Sequence, residues 1–215
     1  MKQITFYFDF ISPYAYLAFE KLPEALQGLS YSVDYRPLLF AGLLKHHGQL
    51  GPAEIGPKRD WTYRQVLWLA HRDGIPMQMP AAHPFSPLPL LRLALACGTQ
   101  GLANRYICET IFRHVWRGGA DAADPRRLEA LRLSLDPGRD SASAAVKAEL
   151  KGNTDEAIAR GVFGVPTCWV DDKLFWGVDA LPMLRAWLEG DAWFAGGTWE
   201  QAQQLPVGSS RLLKP

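Results

Sequence analysis

The spacing of apolar and polar positions predicts mixed α/β structure at the start of the chain. Residues 3–9 are dense in aromatic and β-branched side chains, which is typical of a buried strand. Residues 13–27 carry apolar side chains three and four positions apart and predict a helix, kinked or broken at Pro23. Residues 31–36 alternate in the manner of a strand, which Pro37 closes. This β-α-β order predicts the start of a parallel sheet.

Helical periodicity dominates the middle of the chain, from about residue 41 to residue 150, where almost no strand pattern is found. The predicted helices cover residues 40–47, 59–73, 90–97, 102–116, 125–133 and 141–150. Residues 49–58 contain two Gly-Pro pairs and residues 74–89 contain five prolines, so both segments are predicted to be irregular. The middle of the chain is therefore expected to be all-helical.

Mixed patterning returns after residue 150. A helix is predicted over 153–160, and a short hairpin follows, with strands at 167–170 and 173–176. A last helix is predicted over 181–189, with Asp179 as its N-cap. Together with the first block, this order is that of an α/β, thioredoxin-like domain (β-α-β … α-β-β-α) with a large all-helical insertion.

These patterns divide the chain into three predicted parts. Residues 1-40 and 151-190 are predicted to form the discontinuous thioredoxin-like domain, and residues 41-150 the helical insertion domain. Residues 191-215 form a C-terminal tail, which aromatic residues near its start are expected to order in part.

Composition and charge exclude several classes of function. The net charge is +1 and no basic run is interleaved with aromatic residues, so nucleic-acid binding is not indicated. The most apolar stretch, residues 88–96, contains Pro89 and Arg92 and is too short to cross a bilayer. Asp9 and the Ser12-Pro13 pair interrupt the early apolar run where a secretory signal would continue. We therefore expect a cytoplasmic protein without a membrane segment.

The junction between the first strand and the first helix is the main candidate for chemistry. Ser12 lies at this junction and Pro13 at the first helical position, an arrangement that caps many helices without any further function. A helix N-terminus also favours anions, so the same residues could form a binding site. The local pattern alone leaves both interpretations open.

The cysteines limit what this junction can do. Thioredoxin-like disulfide enzymes carry C-x-x-C at this turn, whereas this chain has Ser12-Pro13-Tyr14-Ala15. Its three cysteines form neither a C-x-x-C pair nor a metal-ligand spacing, so neither disulfide exchange at this turn nor a metal site is expected. A serine hydroxyl at a helix N-terminus can instead donate a hydrogen bond to a thiolate from another molecule, which favours the ionised form.

Val165-Pro166 is the second candidate. A proline between a helix and a hairpin lies where thioredoxin-like folds carry a cis-proline that faces the first helix. We predict a cis bond here, although an ordinary trans turn also fits the pattern. The backbone of the preceding residue could then pair with a peptide-like ligand as an added strand would.

Five segments together resemble the 2-hydroxychromene-2-carboxylate isomerase family, which is related to the kappa-class glutathione transferases. They are residues 8–18 (FDFISPYAYLA), 51–59 (GPAEIGPKR), 83–88 (HPFSPL), 154–167 (TDEAIARGVFGVPT) and 176–179 (WGVD). The first and fourth segments are specific in combination. The resemblance implies glutathione as cofactor, a small aromatic substrate and a homodimer.

The resemblance also implies which residues bind glutathione. They are Ser12, Pro13, Gln49, Lys58, Val165, Pro166, Val178 and Asp179. Ser12 resembles the serine that hydrogen-bonds the glutathione sulfur, and Val165 the residue whose backbone holds the cysteinyl portion. Asp179, with Val178, resembles the pair that holds the γ-glutamyl end, and Lys58 resembles a lysine near the glycyl carboxylate. A catalytic role follows for Ser12 alone.

The chain departs from the family pattern at three positions. Gln49 and Ser86 stand where the family usually has Asn, and Ala180 stands where an Arg often follows the aspartate. An aromatic keto-acid substrate needs a carboxylate partner and a stacking surface. The residues selected for substrate contact are His47, His83 and Phe85, with Trp61 and Trp68 as further stacking surfaces.

The implied activity is glutathione-dependent isomerisation in aromatic catabolism. 2-Hydroxychromene-2-carboxylate and trans-o-hydroxybenzylidenepyruvate, or a similar aromatic keto acid, would interconvert through reversible addition of the glutathione thiolate. Two alternatives remain. The first is a kappa-like glutathione transferase, and the second is a non-catalytic thioredoxin-like protein that holds a peptide at the cis-proline edge.

Overall fold

The computed structural model describes residues 1–206 and 208. The strands are β1 (Lys2–Phe8), β2 (Tyr31–Pro37), β3 (Thr167–Val170) and β4 (Lys173–Trp176). The helices are α1 (Pro13–Ala25), α2 (Phe40–His47), α3 (Gly56–Arg72), α4 (Leu88–Cys97), α5 (Arg105–Trp116), α6 (Pro125–Leu135), α7 (Ala144–Ala159), α8 (Leu181–Glu189) and α9 (Thr198–Ala202).

The four strands form one mixed sheet in the order β2-β1-β3-β4. β1 runs parallel to β2, with Phe6 opposite Tyr35, and antiparallel to β3, where Phe6 faces Cys168. β4 returns antiparallel to β3 through a turn at Asp171 and Asp172, both of which have positive φ. The predicted α/β, thioredoxin-like order of elements is confirmed.

A single helix replaces two that the sequence predicted. The patterns gave separate helices over 141–150 and 153–160, but α7 continues from Ala144 to Ala159. The separation was predicted wrongly because Gly152 and Asn153 are weak helix formers. Inside the fold, the Asn153 amide donates to the carbonyls of Pro37 and Gly101, at 2.8 and 2.7 Å, so tertiary contacts stabilise this part of the helix. The helix thus crosses residue 150, and the division into domains stays a prediction.

Three local predictions also need correction. Lys58 was placed in a loop, yet it lies in the first turn of α3, which starts at Gly56 with Pro57 in its first turn. Asp179 does not cap α8, because it lies within a 3-10 turn over Val178–Ala180. Helix α1 is not broken at Pro23, and the carbonyl of Phe19, four residues earlier, accepts from the Arg105 guanidinium instead.

The main core joins the sheet to the helical middle of the chain. The ring of Phe112 on α5 lies within 6 Å, centroid to centroid, of four aromatic rings from the first part of the chain. Those rings belong to Phe8, Phe10, Tyr16 and Phe19. All five side chains are fully buried. The β1–α1 junction is therefore packed from behind by α5.

The start of the tail is ordered, as predicted. Phe194 is buried and packs against Trp187 and Trp199. The rest of the predicted tail, residues 207 and 209–215, lies outside the described residues. None of the helices among the described residues is long and apolar enough to cross a membrane.

Candidate active site

Ser12 connects the two candidate segments of the sequence. It is the N-cap of α1, and its Oγ accepts a hydrogen bond from the Ala15 N–H at 3.2 Å. The same hydroxyl donates to the Val165 carbonyl at 3.4 Å, across 153 positions of the chain. The capping interpretation is confirmed, and the structure adds a contact with the second candidate segment.

The Val165-Pro166 bond is cis, as predicted. The Pro166 carbonyl accepts from the Gly177 N–H at 2.9 Å, which ties this loop to the 3-10 turn that carries Asp179. Gly177 has φ +95°, and a Cβ there would lie 2.4 Å from the Asp179 carboxylate. Glycine suits this position because its positive φ is one that residues with a side chain rarely adopt.

A cleft of about 920 Å³ opens beside these loops. Its walls come from α1, α3, α8, the cis-proline loop and the segment after β4. Five of the residues predicted to bind glutathione line it, namely Lys58, Val165, Pro166, Val178 and Asp179. The fold therefore gathers these predicted residues from three distant parts of the chain.

The cleft also contains residues that sequence reasoning missed. They are Tyr14, Thr62, Gln65 and Trp176. The Tyr14 hydroxyl donates to the Gln65 side-chain carbonyl at 2.5 Å, which connects α1 to α3. Tyr14 and Trp176 belong to the two short motifs SPYA and WGVD, so the motifs were a signal for them. Thr62 and Gln65 are polar positions on a helix and carry no such signal.

Lys58 and Asp179 are two of the charged residues on the cleft wall. Both are exposed, and neither forms an ion pair within the described part of the chain. By contrast, Lys21 and Arg72 pair with Asp73, and Arg185 pairs with Glu189. The cleft thus offers one cation, Lys58, and two anions, Asp179 and the exposed Glu24 of α1, none of which has an ion pair to break within the described residues.

The other predicted site residues lie away from the cleft wall. Ser12 and Pro13 are buried beneath it at the start of α1. His47 and Gln49 are exposed near the end of α2, where the His47 ring contacts the Val162 carbonyl at 3.2 Å. The rings of His83 and Phe85 are half-buried and 6.0 Å apart, next to the β1–α1 junction. Substrate contact by His47, His83 and Phe85 stays a prediction.

A buried carboxylate lies at the end of β1. Asp9 is fully buried, and its two oxygens accept from the N–H groups of Ile11 and Phe40, at 3.1 and 2.9 Å. Burial raises the pKa of Asp9 to about 7, although these two hydrogen bonds act in the opposite direction. Asp9 therefore fixes the backbone ahead of Ser12.

The chain's own thiols are unsuited to chemistry in this cleft. All three cysteines are free, and burial raises the pKa of Cys108 and of Cys168 far above the usual value for a thiol. No cluster of three or more metal-ligating side chains occurs among the residues described. A reactive sulfur at Ser12 would therefore have to come from a ligand.

Fold and site define a thioredoxin-like protein with serine in place of the redox-active cysteine pair. A family model described as the DSBA-like thioredoxin domain matches residues 3–189. The chain belongs to this family and, within it, to the group of 2-hydroxychromene-2-carboxylate isomerases and kappa-class glutathione transferases.

Individual relatives show how far the similarity extends. The 2-hydroxychromene-2-carboxylate isomerase of Sphingobium xenophagum is 31% identical over 194 residues, covering 87% of this chain and 98% of that protein. Glutathione s-transferase kappa 2 of Caenorhabditis elegans is 28% identical over 207 residues, covering 87% and 92%. A solved 2-hydroxychromene-2-carboxylate isomerase superposes with a TM-score of 0.69 at 26% identity, covering 95% of this chain and 100% of its own. These relatives support an isomerase or kappa-transferase-like enzyme.

Proposed function

We propose that this protein is a glutathione-dependent isomerase that interconverts 2-hydroxychromene-2-carboxylate and trans-o-hydroxybenzylidenepyruvate, or a similar aromatic keto acid. One observation carries the proposal: the Ser12 hydroxyl, at a helix N-terminus, lies 3.4 Å from the carbonyl that precedes a cis-proline. This arrangement combines a donor for a thiolate with a backbone edge suited to a peptide-like ligand. The reaction that we propose is the one for which the isomerases among its relatives are named.

Glutathione carries two carboxylates and one ammonium at neutral pH, and two of the cleft's charged residues could each bind one of these groups. Asp179 would bind the γ-glutamyl ammonium beside the Val178 backbone. Lys58, in the first turn of α3, would bind the glycyl carboxylate. Since neither side chain has an ion-pair partner in the described residues, glutathione binding would not have to break a salt bridge.

The hydroxyl of Ser12 can serve the helix and the ligand together. Its oxygen keeps the hydrogen bond from the Ala15 N–H, while its hydrogen turns from the Val165 carbonyl towards the glutathione sulfur. The Val165 carbonyl would then accept from the cysteinyl N–H of glutathione. The existing bond is long, at 3.4 Å, and is therefore easy to exchange.

Thiolate addition and elimination account for the isomerisation. The thiolate forms a C–S bond to the conjugated carbon of the ring-opened cis keto acid, and the electron pair moves onto the keto acid as an enolate. The former double bond is now single and rotates. The enolate then expels the thiolate, which breaks the C–S bond and restores the double bond in the trans form. Glutathione is regenerated, and Ser12 contributes by stabilising the thiolate at each end of the cycle.

Two exposed tryptophans provide the surface that an aromatic substrate requires. Trp61 on α3 and Trp176 at the end of β4 both line the cleft, and their exposed fractions are 63% and 51%. Exposed indole rings in a cleft can stack against a flat aromatic acid. This feature supports an aromatic substrate over an aliphatic one.

Ultraviolet turnover of the chromene carboxylate, measured with and without added glutathione, tests the proposal. We expect turnover to depend on glutathione and to leave its total concentration unchanged. Equal rates after glutathione has been removed by gel filtration would contradict the proposal. Titration calorimetry with glutathione alone accompanies the assay, because a lack of binding would favour the non-catalytic alternative.

A kappa-like glutathione transferase is the second candidate, favoured by the 28% identity to the Caenorhabditis elegans kappa protein. A transferase would consume glutathione in conjugating an aryl halide, whereas the isomerase would regenerate it. From the same relationships we infer a homodimer that acts in aromatic catabolism in the cytoplasm. Sedimentation equilibrium tests the dimer.

A further inference from the structure

The backbone that leads into Ser12 is anchored by side chains that the proposed chemistry does not use. The Phe10 carbonyl accepts from the Trp116 indole N–H at 3.0 Å, and the Ile11 carbonyl lies 2.8 Å from His83 Nε2. These partners lie 106 and 72 positions further along the chain, in the helical middle. The junction is thus held by residues remote from it in sequence.

In two consecutive peptide planes, both the carbonyl and the N–H group form a hydrogen bond within the protein. In the Phe10–Ile11 plane, Trp116 binds the carbonyl and the Asp9 carboxylate accepts from the N–H. In the Ile11–Ser12 plane, His83 binds the carbonyl, and the Ser12 N–H donates to the Asp9 carbonyl at 3.1 Å. Because the second plane fixes the direction from which the chain enters Ser12, it also fixes the start of α1.

The hydrogen bonds of His83 indicate which of its ring nitrogens carries a hydrogen. A carbonyl only accepts, so Nε2 must carry the hydrogen that Ile11 receives. Nδ1 lies 2.7 Å from the Tyr63 hydroxyl and can accept from it, and burial lowers the pKa of His83, which favours this neutral form. The Tyr63 hydroxyl also lies within donating distance of the carbonyl of His83 itself, at 2.9 Å, so its single hydrogen serves two neighbouring acceptors and α3 contacts both ring and backbone.

We propose that His83, held by Tyr63, is a positioning residue for Ser12. Both of its ring nitrogens are bound to protein atoms, so the ring acts through the Ile11 carbonyl and not on a substrate. Holding that carbonyl keeps the Ser12 hydroxyl and the first N–H groups of α1 aimed at the ligand sulfur. The catalytic consequence rests on the proposed glutathione site, whereas the structural consequence does not.

Hydrogen exchange tests the structural part without any ligand. In His83→Ala we expect the amides of Ile11 and Ser12 to exchange roughly threefold to tenfold faster, as expected for the loss of one internal hydrogen bond. His83→Gln keeps an N–H donor and should restore most of the protection. His114 is the matched control, because its ring also binds a loop carbonyl, that of Ala122 at 3.0 Å, and forms no hydrogen bond with residues 9–12. His114→Ala should leave the two amides unchanged.

Ultraviolet titration of bound glutathione tests the catalytic part. His83→Ala should lower the fraction of bound thiolate at neutral pH, and His83→Gln should restore it, while His114→Ala has no effect. If wild-type protein fails to ionise glutathione, the proposed function fails, and the exchange data still decide the positioning role. Equal exchange at Ile11 and Ser12 in His83→Ala and His114→Ala would overturn the positioning role.

Tyr63→Phe provides a second variant in case His83→Ala does not fold. It removes a single hydroxyl and leaves the ring in place. The His83 ring then loses the partner of Nδ1, and we expect the Ile11 and Ser12 amides to exchange roughly twofold to threefold faster. Unchanged exchange in Tyr63→Phe would contradict the role assigned to this pair.

Discussion

At the scale of single residues, the Ser12 hydroxyl forms two hydrogen bonds with different roles. Its oxygen caps α1 through the Ala15 N–H, and its hydrogen is directed at the Val165 carbonyl. The first contact is local and was predictable from the Ser-Pro pair. The second joins residues 153 positions apart and required the fold. Mutation can separate the two.

Ser12→Ala should lower kcat/KM roughly tenfold to a hundredfold, because a hydrogen bond to a thiolate is worth about 1.5–3 kcal/mol. It should also destabilise the protein by about 1 kcal/mol through the lost cap. Ser143→Ala is the matched control, since Ser143 caps α7 through the Val146 N–H at 3.4 Å, away from the cleft. The control should lose stability alone. Similar activity losses in both variants would argue against thiolate stabilisation by Ser12.

Asp9 makes a pH-dependent contribution to stability. Its pKa is raised to about 7 in the folded protein, so between about pH 4 and pH 7 the folded state binds more protons than the unfolded state. The stabilising contribution of Asp9 is therefore complete below pH 4 and is lost as the pH rises towards 7. We expect the free energy of unfolding of wild type, relative to Asp9→Asn, to be roughly 2–3 kcal/mol larger at pH 5 than at pH 8.

Urea unfolding of both proteins at the two pH values measures this difference. Asp9→Asn removes the titration and is the same size as the wild-type side chain. A difference that does not change with pH would show that Asp9 keeps one charge state throughout this range.

At the scale of elements, helix α3 forms one wall of the cleft. Its residues Lys58, Trp61, Thr62 and Gln65 face the opening, while Trp68 lies over the Arg72 guanidinium at 5.2 Å. The sequence proposed Trp61 and Trp68 equally as stacking surfaces, because helical spacing alone does not say which face meets a ligand. The packing of α3 against α1 determines that Trp61 faces the cleft and that Trp68 does not.

Trp61→Ala and Trp176→Ala should each raise the KM for the aromatic keto acid roughly twofold to tenfold, as expected when one aromatic contact is lost. Trp68→Ala is the control, since this side chain is also exposed (56%) and belongs to the same helix, but does not line the cleft. Steady-state kinetics with saturating glutathione provide the measurement. A KM change in Trp68→Ala as large as in Trp61→Ala would contradict a stacking role.

At the scale of the whole molecule, the sheet and the helical middle share one core. A single cluster of buried side chains includes Phe8 and Tyr16 from the first part of the chain, Phe112 and Leu91 from the middle, and Phe175 from the hairpin. Parts that share a core do not unfold separately. We therefore expect one cooperative transition.

Phe112→Ala should lower the free energy of unfolding by about 3–5 kcal/mol, because it leaves a cavity among four aromatic rings. Tryptophan fluorescence and far-ultraviolet circular dichroism should report the same urea midpoint in wild type and in the variant. Tyr106→Ala is the control on the same helix, because Tyr106 is 66% exposed and its loss should change stability by about 0.5 kcal/mol or less. Two separate transitions would contradict the shared core.

The sequence by itself determined the features that depend on near neighbours in the chain. Apolar periodicity predicted the order of strands and helices, and the Ser12-Pro13 pair predicted the start of α1 within one residue. Val165-Pro166 was predicted to be cis from its place in that order, and its geometry is cis. Such features follow from backbone geometry and capping within a few residues, which a pattern records directly.

Only the tertiary structure decided which distant groups meet. It merged two predicted helices into α7, because Asn153 finds carbonyls that lie far away in the sequence. It gave both ring nitrogens of His83 protein partners, one of them the Ile11 carbonyl, 72 positions away in the sequence. Hydrogen bonds and packing between segments depend on three-dimensional position, which spacing along the chain does not encode.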